Sequence, residues 1–135
     1  MRAMSTAARI FAIGNALLAI ALLCGVFLAL PVRFWGVDAP SVLMASLLAL
    51  SSFGLLRQTA WRFRALRISA LCELAVGLVA IASMVLAISY LGGIHGEVGR
   101  SGLVIALVGS ALLIPYLIIY PSLQLVWLGR VSERS

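Results

Sequence analysis

The stretch RQTAWRFRALR, Arg57 to Arg67, separates two apolar runs of the chain and decides how the fold is interpreted. Its arginines alternate with Trp61 and Phe63, a mixture typical of the headgroup layer at a membrane surface. Basic segments with aromatic residues also occur in nucleic-acid-binding proteins, but arginines between apolar runs are the usual topology signal of membrane proteins. We therefore expect lipid, and no nucleic acid, as the partner of this segment. The predicted headgroup contacts are Arg57, Arg62, Arg64 and Arg67.

Four apolar runs follow one another along the chain. Hydrophobic residues make up 64% of the sequence and charged residues 10%, a composition typical of proteins that have lipid as their solvent. The second run is the shortest, and it includes residues 37–41, with Asp38 or Ser41 as a possible N-cap, to complete a membrane span. We predict a single all-α domain over residues 1–135, with transmembrane helices at about residues 8–30, 38–57, 66–92 and 102–129.

The arginines are unevenly distributed between the two ends of these helices. All ten basic residues are arginine, and in a chain that crosses the membrane four times only Arg33 and Arg100 fall on the opposite side from the rest. The positive-inside rule then places both termini and the Arg57–Arg67 loop in the cytoplasm. Short loops make sequential helices neighbours. We predict an antiparallel four-helix bundle in the bacterial inner membrane, with both termini cytoplasmic.

Glu73, in LCELAVG (Leu71–Gly77), is an acidic residue inside an apolar run. An ionised carboxylate in hydrocarbon costs about 2.5–3.5 kcal/mol on the insertion scale, so such a group is usually paired or neutralised. Glu73 lies five residues after Ile68, where its apolar run begins at the cytoplasmic end, which is roughly 7–8 Å inside. Polar residues of the other three helices fall at a similar depth. We call the whole set the polar layer: Asn15, Ser51, Ser52, Glu73 and Gln124.

Two kinds of role are compatible with the polar layer. The amides of Asn15 and Gln124, with a guanidinium of Arg9 or Arg67, can satisfy the Glu73 carboxylate, and the layer then clamps the bundle. Alternatively, Glu73 snorkels to the interface. A functional role would make Glu73 a proton- or cation-binding carboxylate, or a contact with a partner subunit. The sequence leaves these alternatives open.

The segment LIPYLIIYPSLQ, residues 113–124 in the fourth run, contains two prolines. Each proline frees the carbonyl four residues before it, which predicts two kinks. Tyr116 and Tyr120 lie one turn apart on the same face and are placed to donate to the freed carbonyls. Pro115, Tyr116, Tyr120 and Pro121 therefore form either a hinge or cavity wall, or a static bend shaped for packing.

The residue pattern predicts no cofactor, no metal and no catalytic group. His95 is the only histidine, so paired histidine ligation of a haem is excluded within one chain, and no cluster has the spacing of metal ligands. No serine or cysteine has a histidine placed to activate it, and no phosphate-binding loop is present. We therefore do not expect this chain to be an enzyme.

Small size and short loops favour a role that depends on helix surfaces. Our first hypothesis is an accessory or structural subunit of a larger membrane complex, in contact with lipid and with other membrane subunits or with copies of itself. The alternative is a small oligomeric transporter or channel in which Glu73 is the ion- or proton-coupling carboxylate.

Overall fold

The computed structural model describes residues 5–29, 35–94, 104, 107–109, 111 and 114–132. These described residues form helices and no strand. The elements are α1 (Thr6–Cys24), continued by a π-helical segment (Gly25–Ala29); α2 (Trp35–Leu56); α3 (Arg62–Ile94); and a second π-helical segment (Pro115–Ile119), continued by α4 (Tyr120–Ser132).

Three of the described helices are long and apolar enough to cross a membrane. They cover Thr6–Leu28, Trp35–Leu56 and Arg62–Ala87. The all-α class predicted from the sequence is therefore confirmed for the described residues, and three of their helices are candidate membrane spans. In the first part of the predicted fourth span, from residue 102 to residue 113, seven of the twelve residues lie outside the described part of the chain.

The helices begin earlier than the apolar runs indicate. Ser5 caps α1, where its Oγ accepts a hydrogen bond from the backbone N–H of Ala8 at 3.3 Å. Helix α2 begins at Trp35, so Asp38 lies in its first turn, where a carboxylate complements the positive end of the helix dipole. Asp38 and Ser41 are thus helical residues, and neither has the N-cap position expected of it.

The turn between α2 and α3 is closed by backbone hydrogen bonds. Gln58 has a positive φ of 51°, its N–H donates to Leu55 O, and the N–H of Thr59 donates to Gly54 O. This pair of bonds is the Schellman arrangement that ends many helices. Arg62 N–H then donates to Thr59 O, and α3 begins at Arg62, four residues before the predicted start.

The described residues form two buried apolar clusters. The first joins Ala8 and Ala12 of α1 to Leu55, Leu66 and Leu128 of the other three helices. The second joins Ala19 of α1 to Ala45 and Leu48 of α2. The polar layer lies between these clusters along α1 and α2.

Candidate functional site

Asn15 is the centre of the hydrogen bonds in the polar layer. Its side chain is fully buried. The Asn15 Nδ2 donates to Ser51 Oγ at 2.7 Å, and its Oδ1 accepts from Gln124 Nε2 at 2.6 Å. These bonds join α1 to α2 and to α4, so the structure brings together three of the five residues predicted for the layer.

Tyr120 is a further member of this network. Its hydroxyl lies 2.8 Å from Asn15 Oδ1 and 3.3 Å from Phe11 O. This placement differs from the expectation that Tyr120 would donate to a carbonyl freed by a proline in its own helix. The sequence contained a usable signal, because Tyr120 and Gln124 are four residues apart and so share a helix face.

Two serines attach the layer to the backbone. Ser52 Oγ donates to Ala12 O of α1 at 2.7 Å, while Ser51 Oγ donates to Leu48 O of its own helix at 2.8 Å. Both serines are buried. Since Ala12 pairs with Ser52 and Asn15 with Ser51, while Ala19 lies beside Ala45, α1 and α2 run in opposite directions.

Glu73 is buried but stands apart from this network. Only 3% of its surface is exposed, and its Oε2 has no hydrogen-bond partner among the described residues. The Oε1 of Gln124 is likewise buried without a partner. Arg9 and Arg67, the expected guanidinium partners, are exposed. The expected pairing of Glu73 with the amides is thus not the arrangement found, because the amides bond to each other.

A cavity of about 170 Å³ lies beside Glu73. Leu18 of α1, Leu48 of α2, Val76 of α3 and Leu117 of the second π-helical segment all line it, together with Glu73 itself. Its wall along α2 continues to Pro40 and Ser41, near the beginning of that helix. The cavity therefore lies between the four described helical parts, with one buried carboxyl group in an otherwise mostly apolar lining.

A larger groove of about 490 Å³ lies between α1 and α2. Small residues form its floor: Ala16 and Ala19 of α1, and Ala45, Ser46 and Ala49 of α2. The hydroxyl of Ser46 donates to Val42 O at 2.7 Å. The groove is thus a shallow, apolar surface on which another chain or a lipid tail can lie.

The proline segment adopts π-helical geometry. At its end the N–H of Tyr120 donates to Pro115 O, five residues back. Pro121 is buried, whereas Tyr116 is largely exposed. In an α-helix Leu117 O would accept from the N–H of residue 121, but Pro121 has no N–H. Leu117 O lies instead against Gly77 of α3, where a Cβ on Gly77 would be 2.6 Å from this oxygen. The bend therefore brings the two backbones into contact and places Leu117 at the cavity.

The basic segment is at the surface of the molecule. Arg57, Arg64 and Arg67 are exposed. The Arg57 guanidinium lies 5.3 Å from the ring centroid of Phe53, and that of Arg62 lies 4.6 Å from the centroid of Phe63. Such cation–π contacts hold the long side chains near the helix ends.

Comparison of the chain with protein-family models, with curated proteins and with solved structures gives no match. Within the part of the chain that the structure describes, no group of three His, Cys, Asp or Glu side chains is placed to hold a metal ion. His95 lies outside that part.

Proposed function

We propose that this chain is a small multi-pass protein of the bacterial inner membrane and serves as an accessory or structural subunit of a larger membrane complex. Four transmembrane helices form an antiparallel bundle, with residues 102–113 completing the fourth. The contacts of α4 with α3, and the bonds from Tyr120 and Gln124 to Asn15 of α1, support this arrangement.

The positions of the arginines support cytoplasmic termini. Ala8, Leu55, Leu66 and Leu128 belong to one cluster, and each has an arginine one or two residues away in the sequence. These arginines therefore lie at one end of the bundle. The positive-inside rule makes that end cytoplasmic.

The groove between α1 and α2 is the observation that carries the accessory role. Its lining along α2 extends from Val42 to Leu56, which is about 21 Å at the rise of an α-helix. The small residues of this lining include Ala45 and Ala49 of α2, four residues apart, and Ala16 and Ala19 of α1, three apart. Small residues at such spacing let a second helix approach closely. We propose that the occupant is a transmembrane helix of a partner subunit.

Groove filling tests this role. Ala49→Trp places a large ring in the groove, while Leu43→Trp places the same ring at an exposed position of α2 that does not line it. After mild extraction, native mass spectrometry of the unmodified chain is expected to show a larger hetero-complex. The complex should be lost with Ala49→Trp and kept with Leu43→Trp. A chain that is extracted alone or only as a homo-oligomer contradicts the accessory role.

The second candidate is a small oligomeric transporter or channel with Glu73 as its ion- or proton-coupling carboxylate. It is favoured by the buried carboxyl group beside a cavity between the helices, since intramembrane acidic groups commonly lie on ion or substrate pathways. Proteoliposomes that contain the chain alone should then conduct or exchange ions. Flux that is absent, or that is equal with Glu73→Gln, would rule this candidate out.

A further inference from the structure

The cavity beside Glu73 extends from the polar layer toward the beginning of α2, and a packed apolar cluster lies on the opposite side of the layer. From Leu48 its lining follows α2 back to Ser41, a distance of about 10 Å at the helical rise. In the opposite direction, Leu55, Leu66 and Leu128 pack together, with Phe11 and Trp127 against them. Entry is therefore possible from the end where α2 begins, and the packed cluster blocks the other end.

Glu73 presents an acceptor that no described residue satisfies. Its Oε2 is buried without a hydrogen-bond donor, although a buried polar atom without a partner costs about 1–3 kcal/mol, and more when charged. The Gln124 Nε2 and the Tyr120 hydroxyl bond to Asn15 and not to this oxygen. Glu73 also lines the cavity, so a donor that enters the cavity would meet its carboxyl group.

The residues that line the cavity indicate which kind of donor it can bind. Apart from Glu73, the side chains that line the cavity are apolar except for Ser41. A dehydrated divalent metal ion requires about six or more oxygen ligands, and this lining supplies few. A cavity of about 150 Å³ accepts a molecule the size of benzene. The cavity beside Glu73, of about 170 Å³, therefore has room for an apolar group of similar size. Leu18, Leu48 and Val76 provide the apolar walls for it.

We infer that the cavity is a binding site for a small primary alkylammonium ion, reached from the end of the bundle where α2 begins. The ammonium group donates to the Glu73 carboxylate, and an alkyl body of about four to six carbons contacts Leu18, Leu48 and Val76. The charge-assisted hydrogen bond supplies orientation, and the apolar contact removes the body from water. Binding neutralises Glu73 inside the membrane.

This inference goes beyond the accessory role and does not depend on the partner helix in the groove. It also supplies a substrate class for the transport candidate. A chain that binds the ion without moving it would satisfy the inference and exclude that candidate.

Direct binding of radiolabelled n-butylammonium tests the site. The full-length chain is placed in nanodiscs of phosphatidylcholine, a lipid without net charge, and binding is measured by scintillation proximity with empty nanodiscs subtracted. We expect saturable binding to one site per chain, weakened about tenfold or more by Glu73→Gln. Glu133→Gln removes a carboxylate that follows α4 in the sequence, and it should leave binding unchanged.

A second variant keeps the carboxylate and fills the space. Met44→Trp places a large ring on the cavity wall and should abolish binding while the chain stays monodisperse. Excess n-butanol, which has the same alkyl body without the charge, should compete poorly. Absence of saturable binding, equal affinity of Glu73→Gln and the unmodified chain, or equal competition by n-butanol would each overturn the inference.

Discussion

Gln124 Nε2 lies 2.6 Å from Asn15 Oδ1 and joins side chains that are 109 positions apart in the sequence. Because Asn15 also bonds to Ser51 of α2 and Tyr120 of α4, one asparagine connects three helices. Lipid gives helices no hydrophobic reason to associate, so buried hydrogen bonds and close packing hold them together. Asn15 therefore links α1 to α2 and to α4 through buried hydrogen bonds.

Replacing Asn15 should destabilise the fold. Asn15→Leu removes its bonds to Ser51, Tyr120 and Gln124, leaving buried polar groups behind. We expect the free energy of unfolding in lipid to fall by about 2–3 kcal/mol. Steric trapping in bicelles measures it. The control is Ser46→Ala, since Ser46 is exposed and bonds within its own helix; it should change stability by less than about 0.5 kcal/mol.

Gly77 should tolerate no side chain. An alanine there would bring its Cβ to 2.6 Å from Leu117 O and 2.8 Å from Leu117 Cβ, and the backbone oxygen has no room to move without shifting the π-helical segment. We expect Gly77→Ala to destabilise the fold by about 2 kcal/mol or more.

Gly129 of α4 is the matched control for this prediction. A Cβ on Gly129 would meet nothing within 4 Å, and alanine favours a helix over glycine by about 0.8–1 kcal/mol. Gly129→Ala should therefore be neutral or stabilising. Equal effects of the two substitutions on the thermal midpoint would contradict the close contact of α3 with Leu117.

Gly14 and Tyr120 should be energetically coupled. A Cβ on Gly14 would overlap the Tyr120 hydroxyl, so Gly14→Ala displaces the group that bonds to Asn15. In a Tyr120→Phe background there is no hydroxyl to displace. We expect the double variant to be more stable than the sum of the single effects implies, by about 0.5 kcal/mol or more. Strict additivity in a double-mutant cycle would show that a Cβ at position 14 does not touch the Tyr120 hydroxyl.

The depth of each polar residue along its helix was predictable from the sequence, but the direction in which its side chain points was not. Depth follows from the rise of about 1.5 Å per residue, which is why Asn15, Ser51 and Gln124 were expected at one level, where the structure bonds them. Direction depends on how each helix is rotated by its packing. Glu73 is buried as expected, yet its Oε2 stays unpaired while the amides bond to each other.

The proline segment, residues 113–124, likewise shows which features of the fold the sequence predicts and which depend on packing. A missing N–H predicts a bend, but the sequence does not state how the remaining hydrogen bonds rearrange. The chain adopts a π-helical turn over Pro115–Ile119, and this turn carries Leu117 to Gly77 and Tyr120 to Asn15. Those contacts depend on tertiary packing, which a single sequence does not specify.

The central claim is that Asn15 holds the polar layer together while Glu73 is kept free for a ligand. The stability of Glu73→Gln tests it most directly. Glutamine has nearly the same size as glutamate and removes the cost of burying an ionised group, so the free energy of unfolding in lipid should stay equal or rise by about 0.5–1.5 kcal/mol. A loss of more than about 1 kcal/mol would show that Glu73 clamps the helices, and would contradict this account.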